Sequence, residues 1–382
     1  MSAPVHGTCD EIFAKVRDVF ERSFESGEIG AGVAVLIDGE PVIDLWGGWA
    51  DEERTRPWER DTIVNVYSVT KGMASVCMNR LIEEGLLDLD APVSKYWPEF
   101  GQNGKQNIPM RLLVSHQAGL PTAPRLPRNL SYDWSAITTA LAGAAPEWEP
   151  GSQQVYHWST WGYLNGEVLR RIDGRTMGTY LREEVCEPLG ADFLLGFEPE
   201  HDARCATLVQ GEVVTPFDGA PGLSPEERAE DIATWGPNSR NWRAAEIPAA
   251  NGHATAMGVA RVYGALACGG ELEGVRILRP DTVDRAIVQI GPGMTMAAGG
   301  APLRFGTGFI LYSAPPTDGG SVARFGHGGI GGAVGLADRD HRLAFSYVMN
   351  KLNSGFRANL EAAVYECLGV RDRSADPRRR PP

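Results

Sequence analysis

The sequence predicts an α+β fold: an antiparallel sheet built from both ends of the chain, flanked by an N-terminal and a C-terminal helix, with a mainly helical lobe between. Three observations carry this. The chain opens with a helical pattern followed by two strand patterns, its middle is almost wholly helical, and its last third returns to strands before a closing helix. At 382 residues, 43 % hydrophobic and 22 % charged, it has the composition of a folded globular protein.

In order, Thr8-Cys9-Asp10-Glu11 has the form of a capping box. Ile12, Phe13, Val16, Val19, Phe20 and Phe24 follow at helical spacing, predicting an amphipathic helix that ends near Gly27. Gly32 to Asp38 and Pro41 to Trp49 read as strands around the turn signal Asp38-Gly39-Glu40. A short strand, Ile63 to Val66, leads into a helix from about Ser68 to Glu84, with Gly85 as its stop. Helices are expected over Arg111 to Gln117, closed by Gly119, over Trp161 to Ile172 with Ser159 as N-cap, and over Thr176 to Cys186. Residues 215–254 hold five prolines and four glycines without a period, and are expected to form a loop at the rim of a site. Thr255 to Cys268 reads as helix again. Strands are expected over Gly306 to Tyr312, Val322 to Phe325, Gly332 to Ala337 and Arg342 to Met349, and a last helix over Phe356 to Leu368. The tail, 371–382, has five arginines and three prolines and is expected to be disordered. The resulting division is a discontinuous sheet domain, 1–67 with 255–370, and a mainly helical domain, 68–254. Ligand sites favour the crevice between such lobes.

Charge narrows the function classes. Lys plus Arg is 36 against 49 Asp plus Glu, a net charge of −13, which argues against nucleic acid or an anionic membrane as the main partner. No run approaches the ~18 apolar residues of a membrane span. Met1 to Asp10 has neither a basic start nor an apolar core, so no secretory signal is expected. Six scattered cysteines without a CxxC pair suggest a reducing cytoplasm, and seven isolated histidines give no metal pattern, so no cofactor is expected.

The sharpest local signal is Tyr67-Ser68-Val69-Thr70-Lys71 at a strand-to-helix junction. Ser68 and Lys71, three apart on a helix, share one face. A serine hydroxyl needs a base in hydrogen-bond reach, and a desolvated lysine can lose its proton and serve. The helix start also offers free backbone N–H groups for a developing oxyanion. Ser-x-x-Lys arises by chance roughly once per chain of this size. Here it occurs once and uses one of only five lysines. The plainer alternative is a surface lysine one turn past a helix cap. The rival Gly-x-Ser-x-Gly elbow is absent from the sequence.

With the rest of the chain, Ser68-Val69-Thr70-Lys71 resembles the serine β-lactamase and penicillin-binding-protein superfamily, in particular class C β-lactamases and the family VIII carboxylesterases. Leu112-Leu113-Val114-Ser115-His116-Gln117-Ala118-Gly119-Leu120 and Asn251-Gly252-His253-Ala254-Thr255-Ala256 are similar to stretches found there in the same order. The resemblance implies the β-lactamase/transpeptidase-like fold and a Ser–Lys–Tyr site in which Ser68 is the nucleophile. Tyr156, 88 residues further on, falls where the family has its Tyr-x-Asn tyrosine and is implied to be the proton shuttle. Beside an ammonium its phenol would have a depressed pKa and accept the serine proton; the plainer alternative is a core tyrosine. Trp158 replaces the family's asparagine, which counts against β-lactams and favours an apolar acyl pocket. His327-Gly328-Gly329 stands where the family has Lys-Thr-Gly, and the Ile330 N–H is implied to join the Ser68 N–H as the oxyanion hole. A largely neutral histidine in place of a permanent cation weakens anchoring of anionic substrates and tolerates neutral esters. His116 reads as an interior hydrogen-bonding residue, and Trp235 and Trp242 as rim or packing residues. The expectation is a serine carboxylesterase for short-chain acyl esters. The alternatives are a β-lactamase, a D-amino-acid amidase or peptidase, or an acyltransferase on the same site, and a catalytically silent binding protein of the same fold.

Overall fold

The computed structural model describes residues 3–211, 223–294, 303–312, 323–352 and 355–369. The chain begins with β1 (Val5–Cys9), α1 (Ala14–Glu25), β2 (Gly30–Ile37), β3 (Glu40–Gly48) and β4 (Val64–Asn65). The helical middle runs through α2 (Val69–Glu83), α3 (Met110–Val114), α4 (Trp134–Gly143), α5 (Thr160–Asp173), α6 (Met177–Leu181) and α7 (Glu187–Leu189). After β5 (Phe193–Leu194) come α8 (Pro225–Trp235), α9 (Arg240–Ala244), β6 (His253–Ala254) and α10 (Ala256–Ala267). The hairpin β7 (Glu271–Leu272) and β8 (Val275–Arg276) and helix α11 (Pro280–Ala286) lead to β9 (Arg304–Phe305), β10 (Ile310–Leu311), β11 (Arg324–Gly328), β12 (Val334–Asp338), β13 (Leu343–Met349) and α12 (Phe356–Cys367).

The sheet is assembled from both ends of the chain. Its order is β1-β3-β2-β13-β12-β11-β10-β9, with every neighbouring pair antiparallel. The two ends meet where β2 pairs β13, from Ala31 opposite Met349 to Ile37 opposite Leu343. Both strands are almost continuously buried and apolar rather than alternating, so both faces of the sheet are covered there. Helix α10 packs on β2, β12 and β13, while α1 and α12 pack on each other. α12 reaches the sheet through Arg324 with Glu361 and through the Tyr365 hydroxyl, which donates to Asp338 at 2.8 Å. Helix α2 is buried nearly all round, its polar Thr70, Lys71, Ser75 and Asn79 included, packed against β11 on one side and α5 and α6 on the other. Among the described residues no helix is long and apolar enough to cross a membrane.

Local expectations fail where a wider pairing outweighs them. Thr8 does not cap a helix. It lies in β1, which pairs with β3 from Val5 opposite Gly47 to Cys9 opposite Ile43, and Asp10 takes the N-cap position without a side-chain bond. Gly7 makes that edge possible: at φ +104 its backbone lies so close to β3 that a Cβ would stand 1.9 Å from the Asp44 carbonyl oxygen. The run from Gly306 to Tyr312 is not one strand, because Gly306 to Phe309 form a turn between β9 and β10, with Gly308 at φ +83 pressed onto Ser75 of α2. The helix after Arg111 stops at Val114, since His116 adopts φ +65. The 215–254 stretch is not all loop. Its described part holds α8, with a full Ser224/Glu227 capping box, and α9, capped by Ser239. The tail at 371–382 and the start of that stretch lie outside the described residues.

Candidate active site

Ser68 closes a tight turn between β4 and α2. The residue before it, Tyr67, sits at φ +45, a left-handed conformation costing a non-glycine residue about 1–3 kcal/mol. A dense set of bonds holds it. The Val66 N–H donates to the Gly252 carbonyl at 2.9 Å, and the Thr70 hydroxyl donates to the Tyr67 carbonyl at 2.5 Å while accepting from the Gly252 N–H at 2.9 Å. Asn65 donates to the Ala250 and Gly252 carbonyls at 3.1 and 3.2 Å. Residue 252 must be glycine, because a Cβ would lie 2.2 Å from the Phe193 ring and 2.7 Å from Thr70 Oγ1. The Asn251-Gly252-His253 stretch therefore braces the turn. Ser68 itself is 9 % exposed at the start of α2.

Lys71 lies one helical turn on and is fully buried. Its Nζ has three neighbours: Ser68 Oγ at 3.2 Å, the Trp158 carbonyl at 2.6 Å and the Ala249 carbonyl at 2.8 Å. Burial pushes its pKa well below the usual lysine value. Both carbonyls only accept, so a neutral amine spends its two N–H bonds on them. Its lone pair is then left for the Ser68 hydroxyl, the one neighbour able to donate.

Tyr156 lies beside the pair, its ring centroid 4.7 Å from Lys71 Nζ and its phenol near enough to Ser68 for that side chain to act on it. Its phenol differs from the expectation. Burial raises its pKa above the ordinary tyrosine value, opposed by the Ser68 side chain, and no lysine cation lowers it. The physical reason is shared with Lys71: the pocket that removes the lysine's charge removes the cation that would have acidified the phenol. Behind Tyr156, His116 packs at a ring separation of 4.7 Å and accepts the His157 backbone N–H on Nδ1 at 3.0 Å, the interior role its sequence suggested.

His327 sits in β11 with 1 % exposure. Its Nδ1 is 2.8 Å from the Gly328 carbonyl, an acceptor, so the proton is on Nδ1 and Nε2 is a bare lone pair with no partner among the described residues. Burial, then Lys71, lowers its pKa to about 3. The position carries an uncharged acceptor near neutral pH. Gly328 lies beside Arg357 and Tyr312, where a Cβ would be 3.2 Å from the guanidinium. Gly329 presses on the Ser68 turn, since a Cβ there would lie 2.2 Å from the Val66 carbonyl oxygen. Ile330 opens the 3₁₀ turn Ile330–Gly332, so its backbone N–H is one that the turn itself cannot use.

The structure thus brings Ser68, Lys71, Tyr156, Trp158, His327 and the Gly328–Ile330 segment to one place. Sequence reasoning singled out the Trp158 side chain but missed its carbonyl, and missed Ala249 altogether, because every residue carries a carbonyl and composition cannot mark one. Thr70, the clamp of the turn, was legible only as a position inside the motif.

A Ser–Lys–Tyr cluster where an antiparallel sheet meets a buried helix defines a class, the serine hydrolases of β-lactamase fold. The chain belongs to the β-lactamase family, whose sequence profile matches residues 14–367. It is 36 % identical over 370 residues to esterase/beta-lactamase LipL of Mycobacterium tuberculosis, covering 92 % of this chain and 84 % of that one. Among solved structures it is similar to a family VIII carboxylesterase at 37 % identity and TM-score 0.83, covering 95 % of this chain and 100 % of that one. A penicillin-binding-protein homologue from Caulobacter crescentus matches at the same identity, TM-score and coverage. The protein is a serine hydrolase.

Proposed function

We propose that this protein is a carboxylesterase that hydrolyses esters with short acyl groups through an acyl-enzyme on Ser68. The observation that carries the mechanism is the coordination of Lys71 Nζ by two carbonyls and one hydroxyl. As an ester docks, the Lys71 lone pair takes the Ser68 proton while Oγ attacks the carbonyl carbon. The oxyanion is received by the Ser68 and Ile330 N–H groups. Tyr156, kept as a phenol by burial, gives its proton to the departing alkoxide and is reprotonated from Lys71. In the second half, water takes the alcohol's place: Tyr156 and Lys71 relay its proton, the acyl carbon–Oγ bond breaks, and Ser68 recovers its hydrogen as the acid leaves. Substrate choice follows from His327. A neutral acceptor offers no charge to the carboxylate of a β-lactam or a peptide C-terminus, and suits uncharged esters. The name of one relative, esterase EstB of Burkholderia gladioli, supports the same choice, while that of LipL carries both esterase and β-lactamase.

Ser68→Ala is expected to lower p-nitrophenyl butyrate turnover by roughly 10⁴-fold or more with unchanged circular dichroism. Retained turnover in the purified variant refutes the assignment. Nitrocefin is expected to be the poorer substrate of the two, and a faster nitrocefin rate would make the protein a β-lactamase first.

A further inference from the structure

Beside the segments that hold Lys71 lies a partly open, mainly apolar chamber of about 210 Å³. Its walls include Leu126, Ile137, Trp158, Tyr163, Trp242 and Ile247. Two of these belong to the segments that hold the lysine: the carbonyl of Trp158 accepts from Lys71, and Ile247 is two residues before Ala249, which accepts the other N–H. The chamber and the proton acceptor are therefore built from the same two stretches of chain. The outer side is narrowed by side-chain pairs. Arg128, a lining residue, makes a two-pronged pair with Asp231 of α8 at 2.6 and 2.7 Å and lies over the Trp235 ring, and the Tyr132 hydroxyl donates to the Trp235 carbonyl.

We propose that this chamber receives the acyl side chain of the ester and selects compact aryl-substituted acids, of the arylacetic kind, over straight chains of equal carbon number. An apolar cavity of about 150 Å³ holds a benzene ring, so this one takes a ring with a short linker. The aromatic walls offer edge and face contacts to such a ring. An extended alkyl tail needs a long slot, and the Arg128–Asp231 pair narrows the direction in which one would run. This rests on the esterase assignment above, and the test separates the two.

Hydrolysis of p-nitrophenyl acetate, phenylacetate and octanoate is measured as kcat/KM, each corrected for the rate of that ester with hydroxide. The expected result is a phenylacetyl rate at least tenfold above the octanoyl rate, although both acids have eight carbons. Ile137→Phe and Ile247→Phe fill the chamber from opposite walls, and each is expected to lower the phenylacetyl-to-acetyl ratio at least tenfold. Fluorophosphonate labelling of Ser68 identifies the folded variants, and if neither labels, the wild-type comparison decides alone. A phenylacetyl-to-octanoyl ratio near or below one, or a folded variant with an unchanged ratio, overturns the chamber's role. Acetate turnover that survives Ser68→Ala overturns the esterase assignment instead.

Discussion

The turn that carries Ser68 and the rim formed by α8 are built in opposite ways. Around the turn, Val66, Thr70, Asn65 and Gly252 are joined by short bonds within a fully buried setting, and a strained Tyr67 is held in place. No residue of α8 is buried, and the helix meets the chamber through an ion pair, a ring contact and one hydroxyl. Strain persists only where the surroundings over-determine it, so the first region can fix an atom's position to a fraction of an ångström. The second has few apolar contacts to resist opening. The proposed mechanism puts the chemistry in the rigid part and selection in the part that can change at low cost.

Breaking the rigid part should have the largest effect. Lys71→Arg puts a permanent cation in place of the neutral amine and cannot take the Ser68 proton, so kcat/KM should fall by roughly 10⁴-fold. Thr70→Val removes the hydroxyl between Tyr67 and Gly252 while keeping the shape. It leaves the buried Gly252 N–H unpaired, while the Tyr67 carbonyl keeps the Thr70 backbone N–H, costing about 1–3 kcal/mol in denaturant melts, with a drop in kcat as Ser68 loses its position. The smallest effect on kcat belongs to the rim. In Arg128→Ala the Asp231 carboxylate, 8 % exposed, loses its two-pronged partner, so about 1–3 kcal/mol of stability is expected to go while kcat on p-nitrophenyl acetate stays near the wild-type value. The octanoyl-to-phenylacetyl ratio should rise severalfold as the chamber opens. Equal effects of Thr70→Val and Arg128→Ala on kcat would erase the contrast between the two regions.

The same contrast governs what could be read from the sequence. The sheet joined from both ends was legible from the order of helical and strand patterns along the chain, and Ser68 with Lys71 from their spacing, while Tyr156 and His327 came only through the resemblance to the β-lactamase superfamily. Thr8 to Glu11 misled because a four-residue capping pattern cannot report that β3 will pair with the same residues. In the rim, Ser224-Pro225-Glu226-Glu227 spelled out a helix start that was lost among the surrounding prolines and glycines. The phenol of Tyr156 was misjudged for a different reason. Its proton affinity depends on whether Lys71 is charged, and that depends on burial, which no local pattern states.

The account stands on Lys71 being a neutral amine whose lone pair faces Ser68. Its folded pKa is depressed, so the amine exists above that pKa, and kcat/KM should fall as the pH drops through it and the lone pair is protonated. His327, with a pKa of about 3, does not titrate in the same range. With only five lysines in the chain, ¹³Cε-labelled lysine gives five resonances, and Lys71→Arg identifies one by its loss. The Lys71 signal is expected to titrate well below the ordinary lysine value of about 10.4, in step with the acid limb of kcat/KM. A Lys71 signal that titrates at the ordinary lysine value would contradict the mechanism.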